Sequence, residues 1–149
     1  MYKRQEKGFT QIEGIDYEET FSPVVRFASI HLLLALVAHL DLELFEMDVK
    51  TALLNGNLEE EICVDQPIDF VSKGHRVCRL KRSIYGLKQS SRSWHIRFHE
   101  TITLFGFTMV SKDHSVYAKR TTRGIMFHTL YVDDIHLVGN NLEMINATK

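Results

Sequence analysis

The chain has 149 residues, 44% hydrophobic and 25% charged, which suits one ordinary domain with a core of its own and excludes a disordered chain. Its 18 basic and 19 acidic side chains leave a net charge of -1, which argues against nucleic-acid binding by bulk charge alone. No run reaches the ~18 apolar residues of a membrane helix, so no membrane span is expected.

The opening "MYKRQEKGF" lacks the apolar centre of a signal peptide. Cys63 and Cys78 have no metal-ligand spacing, and read as free thiols in a reducing compartment. "TFSPVVR" reads as extended or turn, because Pro23 disfavours helix at Ser22. Ile30, Leu33, Leu34, Val37 and Ala38 then recur at helical spacing. Leu32 and Leu36 occupy the other side, so this helix is expected to be covered on most faces. Its His31 and His39 read as edge residues, not ligands.

"LELFEMDV" alternates with the period of a strand, Phe45, Met47 and Val49 against Leu44, Glu46 and Asp48. "ALLNGNL" carries an Asn-Gly turn signal. "EEICVDQP" and "HRVCRLKRSIYG" read as two further strands. A second helix is expected from an N-cap at Ser90, with Trp94, Phe98, Ile102 and Phe105 on one stripe and Gly106 ending it. "SVYAKR" and "GIMFHTLYV" read as strands flanking "TTRG", and "IHLVG" as the last strand. Helices alternating irregularly with hairpins make an α+β pattern, and no linker separates two domains.

Charge is sorted along the chain. "CRLKRSIYGLKQSSRSW" holds Arg79, Lys81, Arg82, Lys88 and Arg92 and no acid, while acids gather in "GIDYEET" and "NLEEEI". The basic stretch reads equally as a solvated surface or as a contact for a polyanion. "LEEEI" reads as a solvated acidic edge.

"LYVDDIHLVG" places Asp133 and Asp134 side by side between two apolar runs. A solvated hairpin tip is the plain reading, given the turn preference of Asp. Yet the favoured two-residue turns need left-handed backbone that a second Asp does not ease, and the two charges repel. A divalent cation would turn that cost to use, since hard cations take carboxylate oxygens. Asp48, at the end of its strand, is either a solvated acid or a third carboxylate of the same site. Spacing alone does not show convergence. Two cations about 4 Å apart would support nucleotidyl transfer and nuclease chemistry alike.

Four blocks, "GIDYEETFSPVVRFASI", "MDVKTALLNG", "LKRSIYGLKQSSRSW" and "LYVDDIHLVGNN", resemble, in order, the reverse transcriptase of copia-type LTR retrotransposons. The similarity runs from about Gly8 to the end. The resemblance implies a right-hand polymerase fingers-palm with an antiparallel palm sheet packed on helices, and the thumb absent. It makes residues 1–149 a partial reverse transcriptase domain of a Pol polyprotein, truncated at both ends, with the thumb and RNase H segments of the parent as partners. It implies catalysis by Asp48, Asp133 and Asp134, with Asp48, the carbonyl of Val49 and Asp133 as metal ligands. It further implies nucleotide contacts at Leu53 and Gln89, and Tyr131 beside the primer end. The cofactor would be Mg2+, with Mn2+ as a substitute. The partners would be an RNA or DNA template with its primer and deoxynucleoside triphosphates, in a cytoplasmic retrotransposon particle. A nuclease is the weaker reading, because no further acidic or His ligand set is evident.

Departures from the family pattern carry their own expectations. Leu53 stands where the family has Phe, under the nucleotide sugar. Cys63 replaces a Tyr, read as the loss of a buried ring. His136 replaces an apolar residue and reads as half exposed. The family's triphosphate-binding basic residue falls near Lys3, in an altered context. Leu53 and Cys63 favour some decay, so a non-catalytic, degraded remnant is the alternative to an active polymerase fragment.

Overall fold

A computed structural model describes residues 10–21, 24–66 and 77–149. Readings that fall on Lys3, Ser22 and Pro23, and on the start of the strand at His75 and Arg76, lie outside these residues. The chain divides into two compact units, one from residues 1–21 and 53–97, the other from residues 22–52 and 98–149.

The second unit is built on a five-stranded antiparallel sheet. Its strands are β1 (Glu43–Asp48), β4 (Thr108–Val110), β5 (Asp113–Thr121), β6 (Gly124–Tyr131) and β7 (Asp134–Gly139). Strands β2 (Cys63–Asp65) and β3 (Val77–Arg79) belong to the other unit. The order across the sheet is β1-β7-β6-β5-β4, so an early strand lies beside the last one. Alternation decides the faces. Phe45, Leu137, His128 and Tyr117 form one rank on one face; Leu44, Val138 and Phe127 form a rank on the other. Tyr117, Met126, Leu130, Leu137 and Val138 are fully buried. Burying a side chain of this size stabilises by about 1.5–3 kcal/mol. A short helix α3 (Leu142–Asn146) follows β7, with the Asn141 side chain accepting from the N–H of Met144 as its N-cap.

Helix α1 (Phe27–Leu40) departs from its expected burial. Leu33 is its one buried residue, packed with Leu42 and Val138. Phe27, Leu32, Leu34 and Leu40 are exposed. The leucines point all round the helix, but a single sheet face can cover only one stripe of them. His31 and His39 are exposed, as edge residues should be.

Helix α2 (Ser90–Leu104) begins in the first unit and ends in the second. Ser90 is its first helical residue rather than its N-cap. The Ser90 hydroxyl donates back to the carbonyl of Ile84 at 2.5 Å. Trp94, Phe98 and Ile102 are buried as the stripe requires. Phe105 is not, and remains 47% exposed. Gly106, at φ +82°, donates to Thr103 O and Phe107 to Ile102 O, the paired bonds of a glycine-terminated helix end. That turn swings Phe105 outward and buries Phe107 in its place.

The first unit holds a two-stranded antiparallel ribbon of β2 (Cys63–Asp65) and β3 (Val77–Arg79). Cys63 is exposed, so the expected hole from a lost buried ring does not arise. A 3-10 helix, Ala52–Asn55, precedes Gly56. The Asn-Gly pair reads as a turn, but Gly56 is needed for contact: a Cβ there would lie 2.8 Å from the Cβ of Ser93 on α2. β4, α3 and the 3-10 helix carry no clear signal in the sequence, being three to five residues each.

Asp113, buried at the start of β5, closes the N-terminus of α1. Its Oδ2 accepts from the N–H of Arg26 at 3.0 Å and the hydroxyl of Ser29 at 2.6 Å; its Oδ1 accepts from the N–H of Ser115 at 3.0 Å. Burial alone would raise this carboxyl, but these bonds and the Arg26 charge outweigh it and hold it below its usual 3.8. The stabilisation is therefore present above that value and is lost as pH falls through the lower folded one. Asp113→Ala is expected to reduce stability by about 1–3 kcal/mol at pH 7 in urea unfolding. The gap from wild type should shrink in acid; a gap independent of pH would refute the ionised cap.

Candidate functional site

The site is set by two backbone facts. Asp48, the last residue of β1, lies opposite Asp134, the first residue of β7. One residue on, the N–H of Val49 donates to the carbonyl of Asp133 at 2.9 Å. The ladder thus places Asp48, Val49, Asp133 and Asp134 together at one end of the sheet. Tyr131 lies opposite Asp134 on the other side and is 45% exposed. Its free edge bridges to Val24.

The hairpin turn falls one residue earlier than the paired acids suggest. Tyr131 pairs with Asp134, so Val132 and Asp133 are the central residues and Asp134 already belongs to β7. Val132 has φ +54°. Left-handed backbone at the first central position matches the II′ class, which prefers Gly there. A β-branched residue in that conformation is strained. The shift matters chemically. Successive strand residues point to opposite faces, so two adjacent acids in extended chain would diverge. Here the turn interrupts that alternation between them.

Beyond Val49 the chain turns sharply. Thr51 has φ 58°, and the N–H of Ala52 donates to the carbonyl of Val49 at 3.2 Å. The carbonyl keeps a second lone pair for a ligand. Asp48 and Asp134 are exposed and Asp133 is half-buried. The donors gathered here are hard oxygens, the set that suits Mg2+ or Mn2+. Their side chains do not close on one point, since no group of three His, Cys, Asp or Glu among the described residues could hold a metal ion.

Behind Asp134, His136 is half-buried, as its sequence suggested, and lies between Glu46 and Thr129 across the ladder. Its Nδ1 is 3.2 Å from the buried Thr129 hydroxyl. Thr129 went unnoticed in the sequence; the alternation of "MFHTLY" is the signal that could have placed it on this face.

Leu53 and Gln89 belong to the other unit. Leu53 is buried in the 3-10 helix. Gln89 is 2% exposed, and both ends of its amide are engaged. Its Oε1 accepts from Gln11 Nε2 at 3.1 Å, and its Nε2 donates to the carbonyl of Asp16 at 3.1 Å. Gln11 in turn accepts from the N–H of Lys88 at 2.8 Å. In the basic stretch, Arg92 meets Glu19 at 3.1 Å and Glu59 at 3.3 Å, and Arg79 meets Glu61 at 3.4 Å. Lys81, Arg82 and Lys88 are exposed.

Residues 2–149 match the family model described as reverse transcriptase (RNA-dependent DNA polymerase). The chain is 44% identical over 146 residues to the retrovirus-related Pol polyprotein from transposon TNT 1-94 of Nicotiana tabacum, covering 96% of this chain and 11% of that one. It is 37% and 33% identical to the corresponding polyproteins from transposons RE2 and RE1 of Arabidopsis thaliana, covering 95% of this chain and 10% of each. The chain thus spans about a tenth of the length of these curated relatives. No solved structure matches it. No helix among the described residues is long and apolar enough to cross a membrane.

The strain at Val132 has a measurable consequence. Val132→Gly is expected to raise stability by about 1 kcal/mol in urea unfolding, because glycine adopts the left-handed conformation without penalty. A loss of stability would show that the turn does not hold Val132 there.

Proposed function

Because the chain belongs to the reverse transcriptase (RNA-dependent DNA polymerase) family of transposon Pol polyproteins, we propose that it is the fingers-palm part of an RNA-directed DNA polymerase of copia type. Residues 1–149 then form a partial reverse transcriptase domain. The five-stranded sheet would be its palm, and the first unit part of its fingers. The observation that carries this reading is the pairing of Asp48 with Asp134, beside the bond from Val49 to Asp133.

Asp48, Asp133 and the carbonyl of Val49 would hold Mg2+, or Mn2+ in its place, with Asp134 supporting the same charge. When bound, such ions favour the ionised attacking oxygen and neutralise charge building on the leaving phosphate. The protein's own contribution is placement and electrostatic balance. The primer 3′-oxygen attacks the α-phosphate of a deoxynucleotide, a P–O bond forms, and pyrophosphate leaves. No side chain acts as nucleophile. Tyr131 would stand at the primer end, where its exposed ring is free to pack. Leu53 would lie under the sugar, and Gln89 would meet nucleotide and template. For Gln89 that contact requires a change of partner, since Gln11 and Asp16 engage its amide. The template, primer and deoxynucleotides are then the working partners, together with the thumb and RNase H segments of a parent polyprotein.

The test is extension of a labelled primer on an RNA template with Mg2+ or Mn2+. Wild type should extend, and Asp133→Asn should extend at least about a hundredfold more slowly, since the electrostatic centre is lost. No extension by wild type would instead support a non-catalytic, degraded remnant. In single-nucleotide incorporation, Leu53→Phe should reject ribonucleotides about tenfold better than wild type, because a larger ring crowds the 2′-hydroxyl. Equal discrimination would remove Leu53 from the sugar pocket.

A further inference from the structure

Helix α1 is 14 residues long and holds no Asp, Glu, Lys or Arg, in a chain that is 25% charged. Nine of its 14 residues are exposed, Phe27 to 78% and Leu32 to 64%. A helix that faces water carries charged side chains on its outer side, so one this apolar calls for cover all round. The sheet covers only the stripe at Leu33 and Val37.

At about 3.6 residues per turn, Ala28, His31, Ala35 and Ala38 run along the middle of the outer face, opposite Leu33. Phe27 and Leu34 border that strip on one side, Leu32 and His39 on the other, and all of these residues are exposed. The outer face is thus a strip made mostly of alanine between larger rims. A bilayer does not fit it. The helix spans only ~21 Å, short of the ~30 Å hydrocarbon core, and its outer face has no Lys or Arg to meet lipid headgroups. A polyanion finds no charge on this face either. What fits is a second uncharged, apolar helix, and α1 of another copy is one.

We propose that this face joins two copies of the chain in a reversible dimer, α1 packed antiparallel on α1. The ends of the helix select that orientation. Arg26 precedes the helix, Asp41 follows it, and both are exposed. A two-fold axis at the helix midpoint brings each Arg26 to the partner's Asp41, whereas a parallel pair would set like charges together. The same axis sets Leu32 beside the partner's Ala35 and Ala28 beside the partner's His39, large against small. Alanine in the middle lets the helix axes approach to about 8 Å. The area decides the strength. The face offers on the order of 600 Å² per copy, below the ~800 Å² that each partner gives to a stable interface, so the dimer is weak and exchanges freely. The inference does not rest on the polymerase reading, because its test reads association and not polymerisation.

The test is sedimentation velocity of the purified chain from about 5 to 500 µM, where a monomer–dimer equilibrium is expected with a dissociation constant on the order of 100 µM. Ala35→Glu keeps a good helix former but sets two carboxylates into the closest contact, and should weaken the dimer at least about tenfold. Asp41→Lys makes both end pairs repulsive and should weaken it about threefold. Thr122→Glu, on the exposed turn between β5 and β6, should leave it unchanged. In amide NMR spectra of the wild type, shifts that depend on concentration should gather on α1, which keeps the test whole if a variant does not fold. A chain that stays monomeric throughout would overturn the dimer and give this face to a different partner. A dimer indifferent to Ala35→Glu, or shifts gathered away from α1, would overturn the face. A dimer indifferent to Asp41→Lys would overturn the antiparallel orientation.

Discussion

The pairing of β1 with β7 is the constraint on which the rest depends. These strands are separated by more than eighty residues of chain, yet their register brings Asp48 opposite Asp134 and Val49 beside Asp133. A slip of one residue would send Asp48 to the opposite face and leave Val49 without its bond to Asp133. That register is held by buried side chains, not by the acids. Leu137 and Val138 are fully buried on opposite faces of β7, and Leu130 and Met126 hold the neighbouring strand. Like charges directly across a ladder are destabilising. Asp48 opposite Asp134 is such a pair, tolerated at the sheet's end because the core behind it sets the alignment.

Backbone strain collects at this end at two positions. Val132 and Thr51, both β-branched, have positive φ, and they flank the acids from the two strands. Strained backbone of this kind persists only where surrounding structure over-determines it. The sheet supplies that support, and the polymerase reading gives the strain a use.

The two sheet faces are treated differently. One is covered by α2 and by Phe107, which meets His128 edge-on. The other meets α1 through Leu33 and Val37, while the remaining leucines of that helix face outward. Asp113 anchors the start of α1 to β5 by two hydrogen bonds, from the N–H of Arg26 and the hydroxyl of Ser29, so the helix start is fixed despite its narrow contact. In the first unit, Arg92 and Arg79 are matched with acids from the two acidic stretches. Charges that are sorted along the sequence are partly paired again in space, and exposed pairs of this kind contribute little to stability.

By itself the sequence determined the α+β pattern, the main helices and strands, and the family. Period-two and helical alternation are local properties, and four ordered blocks carry the family resemblance. Asp48, Asp133 and Asp134 were legible as candidates for the same reason. Only the tertiary structure decided that Asp48 faces Asp134, because pairing between distant strands leaves no local trace. It also decided the turn at Val132 and Asp133, where two adjacent acids pointed to a turn one residue later. Leu34 and Val37 look alike in sequence, but only one side of the helix found a partner. Phe105 and Phe107 exchanged roles because Gly106 closed the helix between them. The resemblance gave Gln89 a nucleotide contact; only the fold showed its amide bonded to Gln11 and Asp16. In each case the deciding energy lies in contacts between residues far apart in the chain, which periodicity and composition do not record.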